Sequence, residues 1–394
     1  MKKPLSMSAR REYLIGKKAT YLKTKERKVK SSMLDEICET TGLNRKYVVE
    51  LLSSKQDLHG KKNRQRKARK KTYGNDMIPA LKKIWNILDC PCGQRLAPIV
   101  EPTIDALERH HELTLSHEVK KKLITASPST IDRLLKPWRA SARRTLHATT
   151  KPGSFLKRQI PIELSRWDEK HPGYSEIDLC AHNGGNPEGE FANTLVDTDL
   201  ATGWTEQEAF LGKAQKRVLT ALNSIDAERP FPRLGIDSDT GGEFINWLLY
   251  TFCQNQKIQF TRGRPGKKND NPYVEEKNWT HVRKIVGYHR YDTPEQVNLL
   301  NDLYRRELRL YENFFQSVMK LTAKHREGGR QHRVYDRPKT PYQRVLELED
   351  VSESKKQELR AIYQTLNPAA LKRKIDEKLQ RLKRTVKRPS RPNP

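Results

Sequence analysis

Long apolar runs are missing from this chain of 394 residues. No stretch approaches the roughly 18 residues that cross a bilayer, and no leader pattern opens the sequence, so neither a membrane anchor nor secretion is expected. Cysteine is scarce: five residues, at 38, 90, 92, 180 and 253, odd in number and scattered. That excludes a disulfide framework and points to a reducing compartment. Cys90 and Cys92 with His110 and His111 offer zinc-binding types, but the step between the cysteines is too tight for the usual knuckle and no second pair follows. Hydrophobic residues reach 35% against 32% charged, so a sizeable core is confined to part of the chain. Negative charge is in shortest supply, with 48 Asp and Glu against 77 Lys and Arg. The resulting net charge of +29 makes a polyanion the default partner, because neutralising phosphates releases condensed counterions. With a membrane surface set aside, nucleic acid is that polyanion.

The positive charge is concentrated at the ends. Residues 1–74 carry 22 Lys and Arg against 7 Asp and Glu, and the last 24 residues carry 10 against 2. Within the first block, Leu34, Ile37 and Cys38 have helical spacing, Thr41-Gly42-Leu43-Asn44 supplies a turn and a helix start, and Val48, Leu51 and Leu52 form a second apolar face. This reads as a helix-turn-helix over residues 1–60 with Arg45 and Lys46 at the front of a recognition helix. A basic linker, 61–74, follows, with Arg64, Arg66, Lys67 and Arg69 as further candidate DNA contacts. Residues 75–145 repeat the helical plan: Val119 and Leu123 on one helix, then Ser127 as N-cap, Pro128 at the first helical position, and Ile131, Leu134 and Leu135. Ordinary helical hairpins are the plainer alternative for both units, and the charge of the first favours DNA there.

After a linker at 146–166 the pattern changes to alternating strands and helices, predicted to form one domain over 167–290. Strands are expected at Ser175–Ala181, Phe191–Val196, Gly203–Phe210, Leu234–Asp239 and Ile258–Arg262, with Asp197-Thr198-Asp199 as a turn. Helices are expected at Lys213–Ile225, Glu243–Gln254 and Pro272–Val286. Three strands, then helix, strand, helix, strand, helix is the order of an RNase H-like domain. A helical extension at 291–350 and a basic helical tail at 351–394 complete the reading. The fold class is therefore α/β, an RNase H-like mixed sheet with flanking helices, preceded by all-α helix-turn-helix domains.

Three carboxylates fall where such a core would gather them: Asp178 in the first strand, Asp239 closing the fourth, and Glu275 in the first turns of the last helix. Carboxylate oxygens suit hard Mg²⁺ ions, and two ions roughly 3.5–4 Å apart can bracket a scissile phosphate. Asp237 has the same strand parity as Asp239 and is its rival. The stretches Glu176-Ile177-Asp178, Asp237-Ser238-Asp239-Thr240-Gly241-Gly242-Glu243-Phe244 and Lys268-Asn269-Asp270-Asn271-Pro272-Tyr273-Val274-Glu275-Glu276-Lys277-Asn278 resemble bacterial insertion-sequence transposases with a retroviral-integrase-like core. The resemblance covers residues 170–290 well and the helix-turn-helix front in general plan. It implies that Asp178, Asp239 and Glu275 are the catalytic, metal-binding triad for two Mg²⁺ ions, with Mn²⁺ able to substitute. It further implies a transposase that binds terminal inverted repeats, cleaves at the element ends and joins the 3′-hydroxyls to target DNA. Partners would be double-stranded transposon-end and target DNA and at least a second copy of the chain, in the bacterial cytoplasm at the nucleoid. An RNase H-like nuclease or resolvase, and a DNA-binding regulator with an inactive core, are the rival functions.

Retroviral relatives place lysines one and two turns after the glutamate, where this chain has Trp279 and Val282, which leaves Lys267, Lys268 and Arg283 as candidate contacts to the DNA end. A helical wheel started at Asn271 and Pro272 puts Glu275, Trp279, Val282 and Val286 on one packed face and Glu276, Thr280, Arg283 and Lys284 on the solvent side. On that reading Glu275 is the ligand and Glu276 a surface residue.

Overall fold

Apolar residues at helical spacing fold the N-terminal stretch into three helices, α1 (Met7–Lys23), α2 (Arg27–Thr41) and α3 (Arg45–Ser53). Their starts and stops are local chemistry. Gly42 takes a left-handed conformation (φ 68°) that ends α2 and lets its N–H reach the Cys38 carbonyl at 2.8 Å. Asn44 then caps α3, its side-chain oxygen accepting from the Lys46 N–H at 2.9 Å. Leu14, Tyr21, Leu34, Ile37, Val48 and Leu52 close over one another as a separate small core. The computed structural model describes residues 5–54, 72–139, 171–238, 244, 246–262, 272–327 and 330–386, and divides the chain into two units, Met1–Thr72 and Tyr73–Pro394.

The second unit opens with helices α4 (Ile78–Ile87), α5 (Gly93–Leu96), α6 (Val100–Arg109), α7 (His117–Thr125) and α8 (Pro128–Arg139). Ser127 caps α8 by accepting from the Thr130 N–H, as its position before Pro128 implies. These helices share a continuous core with the residues that follow, so the expected second DNA-binding domain at 75–145 does not stand apart. Tyr311 donates to the Ile87 carbonyl (2.7 Å), Ser317 to the Arg95 carbonyl (2.7 Å) and Gln316 to the Leu88 carbonyl (3.0 Å).

Five strands form the central sheet: β1 (Tyr174–Ala181), β2 (Ala192–Asp199), β3 (Thr205–Leu211), β4 (Gly235–Ser238) and β5 (Gln259–Arg262). They lie in the order β3-β2-β1-β4-β5, with β1, β2 and β3 successively antiparallel and β4 and β5 parallel to β1. This is the RNase H-like mixed sheet. Helices α9 (Gln215–Glu228) and α10 (Trp247–Asn255) cover one face, where Ile177, Leu195, Leu222, Ile236 and Phe260 are buried. The other face, with Cys180, Val196 and Ala209, packs on the larger helical core, which is why β2 is buried along its whole length. Burial on both faces takes in polar side chains as well, Asn193 and Thr194 in β2 and Glu206, Gln207 and Glu208 in β3 among them.

Asp197 and Asp199, expected in a turn, end strand β2 instead, and the turn lies one step later. Both are buried because arginines answer them. Arg233 lies 2.6 Å from Asp197 and 2.5 Å from Asp226 and donates to Ser175 Oγ at 2.8 Å, while Arg229 stands 3.7 Å from Asp197 and from Asp199. Asp199 also accepts from the N–H groups of Gly173 (2.7 Å) and Thr202 (2.8 Å). The cluster fastens the segment leading into β4 onto β1 and β2.

Beyond the sheet, α11 (Pro272–Lys277) runs through a π-helical turn, Asn278–Arg283, into α12 (Lys284–Val286). The extension holds α13 (Pro294–Asp302), a second π-helical turn (Leu303–Leu308) and α14 (Arg309–Phe315). A two-stranded hairpin absent from the sequence reading, β6 (Leu321–Glu327) and β7 (Arg330–Tyr335), comes next. Helices α15 (Pro341–Glu347), α16 (Glu353–Thr365) and α17 (Pro368–Arg384) follow. The last two were expected as a basic tail. They bury Leu359, Leu366, Leu371, Ile375 and Leu382 in the large core, and Arg373 pairs with Glu112 beyond α6, so only their outer faces are basic. Among the described residues no helix is long and apolar enough to cross a membrane.

Candidate active site

Strand β1 is the centre of the sheet and carries Asp178 at its partly exposed midpoint. The carboxylate is held on two sides: Oδ1 accepts from the Leu179 N–H at 2.7 Å and Oδ2 from Asn278 Nδ2 at 2.6 Å. Two residues earlier, Glu176 is fully buried and its Oε2 accepts from the Val274 N–H at 3.0 Å. Val274 is the third residue of α11, so a carboxylate from the neighbouring strand takes up one of the helix's unpaired N–H groups and faces its positive end. Glu176 and Asn278 together fasten both ends of the turn that bears Glu275 onto β1. Asn278 was within a quoted motif but given no role; its place one turn after Glu275, on the same helix, was the available signal.

The parallel register of β1 and β4 pairs Glu176 with Asp237 and Ile177 with Ser238. Asp237, the rival second ligand, is buried and accepts from Thr261 Oγ1 on β5 at 2.7 Å. Asp239, Lys267 and Lys268 lie outside the described residues, as do Arg64, Arg66, Lys67 and Arg69. Glu275 is placed by its backbone in α11.

The helical wheel needs correction. Trp279, expected on the packed side, is 45% exposed and tilts against Tyr288, whereas Lys277 and His281 are buried beside Val274 and Val282. The π turn is the cause: one extra residue per turn shifts the phase of the stripe. Glu276 is not a free surface carboxylate either, standing 3.4 Å from both Arg95 and Lys277. Burial pushes its pKa up, but Lys277 and Arg95 outweigh that and hold it below the usual range.

Behind the helix runs a buried polar chain. Lys277 Nζ lies 3.4 Å from His281 Nε2, His281 Nδ1 lies 2.9 Å from Glu312 Oε2, and Gln207 of β3 donates to the same oxygen at 2.8 Å. Burial lowers the Lys277 and His281 pKa values and raises that of Glu312 well above the carboxylate range, so the low-dielectric interior favours neutral forms of His281 and Glu312.

Arg283, a candidate contact to DNA, donates to the Ala181 carbonyl at 2.6 Å and stacks over Tyr288 at 4.8 Å. Arg45 is likewise engaged within its own unit, paired with Asp35 and donating to Ser31 Oγ at 2.7 Å, while Lys46 beside it is exposed. Each of those arginines already has a structural task.

Among the described residues no group of three His, Cys, Asp or Glu side chains is gathered to hold a metal ion. Asp178 offers carboxylate oxygens, and Asn278 Oδ1 next to it is buried without a donor among the described residues. Oxygen donors of this kind suit a hard cation.

Just past the end of β1, His182 shares a hydrogen bond with Thr194 Oγ1 at 2.7 Å, and burial pushes its imidazole down to about 3. The folded chain therefore stays neutral where the unfolded chain takes up a proton. Below the unfolded value of about 6.5 the unfolded state binds more protons, so this residue removes stability as pH falls from there toward 3, at up to ~1.4 kcal/mol per pH unit. His182→Gln is expected to flatten the fall in urea-unfolding free energy between these limits; an unchanged slope would assign the acid sensitivity to other groups.

No family model matches the chain. The uncharacterized protein y4rM of Sinorhizobium fredii (strain NBRC 101917 / NGR234) is 37% identical over 316 residues, 80% of this chain and 89% of that protein. Among solved structures, the HTLV-2 integrase catalytic core domain in complex with magnesium, in its dimeric form, matches 37% of this chain and 90% of its own at 14% identity and a TM-score of 0.28. The catalytic core domain of BIV integrase matches 44% and 94% at 14% identity and a TM-score of 0.28. The simian T-cell lymphotropic virus intasome, in complex with PP2A regulatory subunit B56 gamma, matches 54% and 70% at 13% identity and a TM-score of 0.31.

Proposed function

We propose that this chain, which belongs to the same family as the uncharacterized rhizobial protein y4rM, is a DNA transposase that cleaves and joins DNA ends by Mg²⁺-dependent phosphoryl transfer. The observation that carries the reading is the double fastening of α11 to β1, by Glu176 on the Val274 N–H and Asn278 on Asp178. It holds the turn bearing Glu275 beside the strand bearing Asp178. Asp239 follows Ser238 in sequence, and a trans peptide sets consecutive Cα atoms only about 3.8 Å apart. Ser238 is the register partner of Ile177, and that adjacency in sequence supports taking Asp239 as the second carboxylate.

In this reading Asp178, Asp239 and Glu275 are the residues that would hold two Mg²⁺ ions, and such ions would supply activation of the attacking oxygen and stabilisation of the leaving one. The chain's own residues do the rest. Asn278 and the Leu179 N–H fix the rotamer of Asp178, Glu176 fixes the helix end, and the buried Lys277 chain ties the helix through His281 and Glu312 to Gln207 of β3. The three-helix unit and the basic segment after it bind the element's terminal repeats as duplex DNA, with two copies of the chain bringing two ends together.

The test uses the intact protein, Mg²⁺ and plasmids carrying the DNA that flanks the coding region. Cleavage at the flanks followed by joining to a second DNA is expected. Nicking without joining would make the chain a nuclease or resolvase, and sequence-selective binding with neither reaction a regulator. Because Arg45 is occupied by Asp35 and Lys46 is exposed, Lys46→Ala is expected to weaken binding of the flanking DNA and to reduce the salt slope by about 1. Undiminished binding by Lys46→Ala would turn that helix away from the DNA.

A further inference from the structure

The hairpin β6–β7 is built in a way that stability alone does not favour. Its register sets Lys324 opposite Arg333, His325 opposite His332 and Arg326 opposite Gln331, with Glu327 opposite Arg330 at the tip. Directly opposed like charges destabilise an antiparallel pair, and a two-stranded sheet has little stability of its own. Lys324 and Arg326, two residues apart, hold the same face as Arg333 and Gln331, which gathers three cationic positions on one side of the ribbon. Arg326, Arg333, His325 and His332 are exposed, and Val334 and Tyr335 remain 46% and 40% exposed toward the base.

The root, in contrast, is firmly fixed. Val318 and Lys339 form a bridge, Lys320 N–H donates to Asp336 Oδ1 at 2.8 Å, and Arg344 pairs with Asp336 at 2.8 Å. Lys320 Nζ also donates to the Ala201 carbonyl at 3.0 Å, in the turn after β2. A rigid base thus presents an exposed, self-repelling cationic arm.

From these features we infer that the β6–β7 ribbon is a second DNA-contacting element, an arm whose Lys324, Arg326 and Arg333 face meets the phosphates of a duplex. The inference rests on the DNA-directed reading above. A polyanion removes the cost of the opposed charges, and the dimensions agree: a pair of strands about 4.8 Å apart and roughly 20 Å long enters a major groove about 12 Å wide. Pairing of the strands' outer edges with a second copy would set cation against cation.

The test compares full-length wild type with Arg326→Ala/Arg333→Ala and Arg326→Lys/Arg333→Lys across a salt series, by fluorescence anisotropy on duplex DNA. The alanine pair is expected to bind more weakly and to show a slope of log affinity on log salt shallower by about 2, while the lysine pair keeps the wild-type slope. In wild type, amide exchange within residues 321–335 is expected to slow when duplex is added, a readout independent of how the variants fold. Unchanged slope and affinity in the alanine pair, or no protection of the hairpin, overturns the arm. So does a lowered oligomeric state with the slope intact, which would make the ribbon a self-pairing edge. If wild type itself ignores duplex at every salt, the DNA-directed reading fails as a whole.

Discussion

Glu275→Gln is expected to bind flanking duplex DNA like wild type and to lose both strand cleavage and the joining of pre-cut ends by roughly 10³-fold or more, the scale set by several kcal/mol of lost metal-assisted stabilisation. Gln keeps the length of Glu and one of its oxygens, so α11 and its Glu176 and Asn278 fastenings survive. What goes is a negative charge that two divalent ions need. Asp178→Asn should behave alike. Glu276→Gln separates chemistry from stability: it takes a partner from the buried Lys277 and from Arg95, so its expected effect is a lower unfolding free energy with cleavage retained. Joining of pre-cut ends at wild-type rate by Glu275→Gln would refute one shared site, and an inactive, stably folded Glu276→Gln beside an active Glu275→Gln would move the ligand by one residue.

Arg233→Met should cost about 3–5 kcal/mol of stability, the usual penalty for taking one partner from a buried ion cluster. Its guanidinium is buried and answers Asp197 and Asp226 together, with Ser175 beside them. Without it Asp197 is left to Arg229 at 3.7 Å, too long for a good hydrogen bond. Arg233→Met/Asp197→Asn removes both charges and should recover much of the loss. Urea unfolding of the two variants tests this. A single variant within about 1 kcal/mol of wild type would mean that water reaches the cluster and solvates the carboxylates.

Elements defined by local chemistry were readable from sequence. Gly42 and Asn44 mark the turn between two helices through their backbone and side-chain preferences, Ser127 and Pro128 mark a helix start, and the five strands fall within a few residues of their expected places. The carboxylate spacing could be read too, and the structure brings Asp178 and the Glu275 helix onto neighbouring elements. What could not be read depended on distant partners. The hairpin sequence Leu321–Tyr335 carries polar or charged residues at most positions, so the alternation that signals a half-buried strand is missing. Asp197 and Asp199 look like turn residues until Arg229 and Arg233, some thirty positions on, are seen to neutralise them. The wheel failed because a 3.6-residue period does not hold through a π turn. Helices α4–α8 carry the pattern of a small independent domain, and only their partners near the C-terminus show otherwise.

The core those helices share has a bearing on how the chain is made. Its side chains run from Met77 to Leu382, so the apolar faces of α4 to α8 acquire their final neighbours only when α17 has been synthesised. At about 5–20 residues per second that is a wait of roughly 15–60 s, during which an unfinished sheet and exposed helices must stay clear of one another and of other nascent chains. The three-helix unit, with its own core, faces no such delay. A nascent chain would therefore carry a finished, cationic N-terminal unit well before the second unit can assemble.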